Sequence, residues 1–124
     1  MVLDKLLKES EGKTLEFKRD ISSPDNVLKT LVAFANTAGG TLLLGVEDTT
    51  RRVRGLTDVL KEEERLASLI ADGIQPHLVP DIEILAYRKT QVLAVRVQPS
   101  SLRPHCLKKL GLERGVYIRV GSTN

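Results

Sequence analysis

A chain of 124 residues, 41% apolar and 28% charged, has the size and composition of one globular domain, expected to span residues 1–124; these residues are too few for two domains and too apolar for disorder to be expected. Aromatic residues supply only 3%, so Leu, Val, Ile and Ala must build the core, and a net charge of +3 is compatible with a polyanionic partner without requiring one. A lone cysteine, Cys106, rules out an internal disulfide, and there is neither an apolar run of membrane-spanning length nor a signal-peptide core. A cytoplasmic setting without a membrane partner is therefore expected.

In chain order, residues 2–9 form a short amphipathic helix with Leu3, Leu6 and Leu7 on one side, closed by Ser10 and Gly12. Residues 14–18 alternate, with Leu15 and Phe17 on one face and Glu16 and Lys18 on an accessible polar face, which predicts a half-buried strand. Ser23 as N-cap and Pro24 at the first helical position open a helix whose apolar face carries Val27, Leu28, Leu31, Val32, Phe34 and Ala35. Gly39-Gly40 ends that helix, residues 41–46 follow as a buried strand, and residues 47–50 turn the chain away.

Thr57 or Asp58 caps a helix running to about Ile74, with Val59, Leu60, Leu66, Leu69 and Ile70 toward the core and residues 61–65 toward solvent. Gln75-Pro76 stops it. Residues 82–87 and 91–97 alternate cleanly and predict an antiparallel hairpin turning near Lys89-Thr90. Beyond Pro99 and Pro104 come a short segment at 105–107, a turn over 109–115 and a last strand over 116–120.

Several chemistries are excluded by residue type and order. Gly39-Gly40 follows a helix and precedes a strand, the reverse of the strand, loop, helix order that aims backbone amides at phosphate, so an ATPase with a phosphate loop is not expected. One cysteine and two widely spaced histidines, His77 and His105, make no zinc or redox cluster, and no serine-nucleophile elbow is present. What remains is a set of carboxylates, Glu11, Glu16 and Asp48, near strand ends. Brought together they would suit Mg²⁺ or Mn²⁺ and phosphodiester cleavage; apart, Glu16 pairs with Lys18 or a neighbouring strand and Asp48 supports a turn. Lys18 and Arg19 follow the Glu16 strand, and Arg51, Arg52 and Arg54 follow Asp48, so one end of the sheet is expected to present cations suited to phosphate. Asn36 reads as a side-chain cap of its helix end, and Tyr87 and Tyr117 as packing residues with wet hydroxyls. Lys108, Lys109 and Arg114 form a basic loop, while Arg119 and Ser122 either bind phosphate or hold the chain end.

These residues together resemble the Schlafen AlbA-2 domain: Glu11 followed by Glu16-Phe17-Lys18, then Phe34-Ala35-Asn36-Thr37-Ala38-Gly39-Gly40 leading to Glu47-Asp48, Gly55, and Tyr117-Ile118-Arg119-Val120-Gly121-Ser122. The resemblance implies an Alba-like α+β fold, a mixed, largely antiparallel sheet packed against two main helices. It implies a nucleic-acid-binding module, for DNA or RNA, at the N-terminal part of a longer transcriptional regulator; the cations Lys18, Arg19, Arg51, Arg52, Arg54 and Arg119 are then the expected backbone contacts. It also implies an alternative, a metal-dependent endoribonuclease with Glu11, Glu16 and Asp48 as catalytic residues and ligands of Mg²⁺ or Mn²⁺. Animal nucleases of this kind use two lobes, so a homodimer is expected to replace the second lobe here, and a dimerisation or scaffold domain without nucleic acid is a third reading.

Overall fold

Two short strands, each made by a run that favours extended backbone, set the frame: β1 (Leu15–Lys18) alternates, and β2 (Gly40–Leu44) is almost wholly apolar because both its faces are covered. The structure, a computed structural model, describes residues 2–9 and 11–124, so Ser10, read as part of the first helix's end, lies outside the described residues. β1 and β2 run parallel with Leu15 opposite Thr41 and Lys18 opposite Leu44. The hairpin of β4 (Asp81–Tyr87) and β5 (Thr90–Val97) completes a four-stranded mixed sheet of order β1-β2-β5-β4, antiparallel except at its β1 edge.

Alternation sends successive side chains to opposite faces. Leu42, Leu44, Leu93 and Val95 meet α2 (Pro24–Asn36) and α3 (Val59–Gly73), whose Leu31, Phe34, Leu66 and Ile70 complete the main core. Leu15, Phe17, Leu43, Val92 and Ala94 meet Leu3 of α1 (Val2–Lys8), with Leu6 and Leu7 packed alongside. The α+β architecture expected from the sequence is therefore the one observed, with two main helices on one face and a short one on the other. Asp58 caps α3 by accepting from the Lys61 amide at 3.2 Å, whereas Ser23 starts α2 through its backbone, without a side-chain bond to the helix. A second, two-stranded sheet pairs β3 (Ile74–Gln75) with β6 (Cys106–Leu107), and α4 (Gly111–Arg114) follows. Among the described residues no helix is long and apolar enough to cross a membrane.

Four local expectations are corrected. The second strand stops at Leu44, because Gly45 takes φ +109°, outside strand geometry, and Val46 keeps only an isolated bridge to Val53. Leu60 is 65% exposed, since the core stripe of α3 runs through Val59, Leu66 and Ile70. The expected turn over 109–115 contains α4, four residues long. Residues 116–120 are not a ladder strand. Their inner edge bonds to side chains at the end of α2, and their apolar members Val116, Ile118 and Val120 point outward, leaving Tyr117 half-buried and Arg119 buried.

Candidate functional site

The parallel pairing of β1 and β2 puts both their C-terminal ends at one end of the sheet, and β5 runs the other way, so the β4–β5 turn lies at that same end. Open sheets commonly bind ligands outside such strand ends. Here residues 18–20, the 45–58 loop and the 87–90 turn converge, and three adjoining clefts open between them.

The first cleft, about 450 Å³, is lined by Glu11, Glu16 and Asp48 together with Lys18, Arg19 and Ser122. The three carboxylates singled out in the sequence thus share one concavity, but each is held differently. Glu11 folds back along the free edge of β1 and accepts the Phe17 amide on Oε2 at 2.8 Å, capping an edge donor that would otherwise face solvent. Asp48 is exposed and accepts from the Thr49 hydroxyl at 3.2 Å. Glu16 is only 8% exposed, contrary to the accessible face expected, because alternation opposite Leu15 and Phe17 turns it under α2.

Glu16 has charge partners on two sides. Arg119 Nη1 donates to its Oε1 at 2.5 Å, and Lys18 Nζ and the Thr30 hydroxyl reach its Oε2 at 2.7 and 3.0 Å. Burial alone would raise the carboxyl's pKa, yet the hydrogen bonds from Lys18 and Arg119, with their charges, outweigh it and hold the pKa below the ordinary glutamate value.

Arg119, expected either to bind phosphate or to hold the chain end, is a structural centre with a fully buried side chain. Its Nε and Nη2 donate to Gly12 O at 3.1 and 2.8 Å, Nη2 also to Leu15 O at 3.2 Å, and Nη1 to Glu16 and to Asn124 Oδ1 at 2.9 Å. Those bonds use all five guanidinium donors, which leaves none for a nucleic-acid phosphate. The ring of Phe34 lies under the guanidinium at 5.0 Å.

The Phe34 to Gly40 block explains how Arg119 is delivered. Asn36 does not cap its own helix: its amide donates to His105 O and Tyr117 O, both at 2.9 Å, and its Oδ1 accepts the His105 amide at 2.8 Å. Thr37 Oγ1 donates to Ala33 O at 2.7 Å and accepts the Arg119 amide at 3.0 Å. Gly39 sits at φ +77°, where a Cβ would lie 2.6 Å from Val97 O, so the turn needs glycine on both conformational and steric grounds. The motif is a clamp that seats residues 117–119 over Glu16.

Among the described residues no three His, Cys, Asp or Glu side chains are arranged to hold a metal ion. With Glu16 already committed to two cations and a hydroxyl, Glu11, Glu16 and Asp48 do not fit Mg²⁺ or Mn²⁺ as placed.

The remaining cations expected at phosphate do gather at this end of the sheet. Arg19, with Asp20, lines both the first cleft and a second one, where Arg54 and Asp58 also lie; Arg54 continues into a third with Arg51 and Arg52. Arg54 pairs with Glu47 at 2.9 Å, and Arg51 Nη1 reaches Leu7 O at 3.5 Å. Arg88 and Lys89, absent from the sequence-based set, line the third cleft from the β4–β5 turn. Only the position of the hairpin turn would have signalled them. Lys109 of the predicted basic loop pairs instead with Asp25 at 2.5 Å, and His105 is buried between Pro76 O and Ser100 Oγ, at 2.9 and 2.6 Å.

Residues 11–124 match the family described as Schlafen, AlbA_2. Among solved structures, the chain is similar to the N-terminal domain of a Nitrosomonas europaea protein described as related to the ATP-dependent DNA helicase RecG. That likeness has 32% identity and a TM-score of 0.76, covering 99% of this chain and 88% of that one. A Corynebacterium diphtheriae protein shares the fold at 21% identity and a TM-score of 0.63, with 87% of this chain matching 23% of that larger one.

Proposed function

Because the chain belongs to the Schlafen AlbA_2 family, we propose that it is a nucleic-acid-binding module of a transcriptional regulator, gripping the polymer mainly through its backbone phosphates. The observation that carries this reading is the gathering of Arg19, Arg51, Arg52 and Arg54 at the sheet end that adjoins the carboxylate cleft. Support also comes from the 32%-identical N-terminal domain, whose parent protein is described as related to a DNA helicase. Contacts of this kind release counterions, so binding weakens steeply with salt and discriminates little between sequences. Anisotropy titrations of labelled single-stranded and duplex oligonucleotides across a salt series test the reading; affinity that ignores salt overturns it.

A ribonuclease reading has one supporting observation, the shared cleft of Glu11, Glu16 and Asp48. It requires Glu16 to exchange Arg119, Lys18 and Thr30 for a metal ion. Incubation with tRNA and Mn²⁺ separates the two: the binding module leaves the RNA intact, whereas cleavage that disappears in Glu16→Gln establishes an enzyme.

A further inference from the structure

The adjoining clefts differ in charge. The first presents Glu11, Glu16, Asp20 and Asp48 against Lys18 and Arg19, an excess of negative charge that repels a polyanion. The third, about 480 Å³, is lined by Arg51, Arg52, Arg54, Arg88 and Lys89 beside Tyr87. Glu47, outside that lining, pairs with Arg54 at 2.9 Å, so the attraction for phosphate rests on Arg51, Arg52, Arg88 and Lys89.

Its backbone carries a second, independent sign. Among the described residues the two non-glycine positions with positive φ are Arg51 at 58° and Arg88 at 54°, and both line this cleft. Left-handed backbone is unfavourable for a side-chain-bearing residue, and such strain gathers where function demands it. Arg88 opens the two-residue turn between Tyr87 and Thr90, a place where hairpins with positive φ ordinarily take glycine. The turn keeps an arginine there, with its guanidinium 5.4 Å from the centre of the Tyr87 ring. Stacking on that ring favours a position for the cation against the cleft lining, to which both residues belong.

We propose that the cleft between the 51–54 loop and the β4–β5 turn is the phosphate anchor of this domain, with Arg88 and Lys89 as contact residues alongside Arg51 and Arg52. The proposal rests on the nucleic-acid reading above and places the grip beside the carboxylate cleft rather than in it. Arg19 and Arg54 line the second cleft, which lies between the two, but Asp20, Asp58 and Glu62 line it as well, so the excess of positive charge is confined to the anchor.

The test replaces the turn by Arg88→Gly with Lys89→Ser, a glycine-first pair that suits the turn, and measures binding of a labelled oligonucleotide across a salt series, with thermal melting to verify the fold. Each lost phosphate contact lowers the salt slope by about 0.9, which corresponds to roughly eightfold weaker binding at ~0.1 M salt, so the double variant is expected to bind roughly sixtyfold more weakly. Lys108→Ser, outside these clefts, serves as the charge control and is expected to change neither slope nor affinity. A turn variant that keeps the wild-type slope while Arg19→Ser loses it would overturn the anchor and leave the nucleic-acid reading standing. Wild-type protein that binds no oligonucleotide at low salt would remove both.

Discussion

Replacing Arg119 by methionine tests how the site is held together. The substitution keeps an apolar stem over the Phe34 ring but removes the five guanidinium donors that now reach Glu16, Gly12 O, Leu15 O and Asn124. Glu16, 8% exposed, would be left to Lys18 and Thr30, and two backbone carbonyls would lose their partner. Breaking one side of a buried, hydrogen-bonded ion pair costs about 3–5 kcal/mol. Unfolding entropy of ~2.1 cal/mol/K per residue amounts to ~0.26 kcal/mol/K for this chain, so a loss of about 4 kcal/mol lowers Tm by roughly 15 °C. The assay is calorimetric or circular-dichroism melting of wild type, Arg119→Met, Glu16→Gln and the double variant. Because the neutral amide introduced by Glu16→Gln leaves no charge to strand, the double variant should be about 1–2 kcal/mol more stable than the two single losses predict together. Arg119→Met melting within about 4 °C of wild type, a change of ~1 kcal/mol, with additive losses in the cycle, would refute this account of the buried pair.

Three further outcomes follow from the same geometry. The Glu16 pKa is depressed in the folded state, so its pair contributes stability that is complete above the unfolded glutamate value near 4.5 and is lost as pH falls through the folded one. Acid titration monitored by circular dichroism should therefore show a smaller loss of stability between neutral pH and pH ~3 in Glu16→Gln than in wild type. Asn36→Ala strands the His105 amide and two carbonyls and should cost about 2–3 kcal/mol in denaturant unfolding, whereas a loss below ~0.5 kcal/mol would show that the clamp is dispensable. Arg88→Gly relieves left-handed strain of about 1–2 kcal/mol, offset by ~0.5–1 kcal/mol of glycine entropy and ~0.5–1 kcal/mol of lost stacking on Tyr87, so melting should stay within about 4 °C of wild type even as binding weakens.

Periodicity makes the sheet and its main helices legible: the alternation in β1, β4 and β5, the apolar stripe of α2 and the Gly39-Gly40 break all correspond to observed elements. It fails where alternation is read with the usual polarity. In residues 116–120 the apolar members Val116, Ile118 and Val120 face out and Arg119 faces in, because Asn36 and Thr37 occupy the inner edge and Glu16 offers a buried counter-charge. A strand pattern cannot reveal which of its faces meets a buried carboxylate when the partner lies a hundred residues away in the chain. Glu16 escapes the pattern for the same reason, since its polar side of β1 is roofed by α2. Arg88 and Lys89 look like an ordinary hairpin turn, and only the topology, which sets that turn beside the 51–54 loop, makes them part of a site.

The phosphate grip is read most directly by the salt dependence of oligonucleotide binding to the wild-type domain. With Arg51, Arg52, Arg88 and Lys89 as the contacting cations, log affinity should fall linearly with log salt with a slope of about −3 to −4, and change little when the sequence is scrambled. A flat salt response, or an affinity that depends on sequence but not on ionic strength, would contradict it.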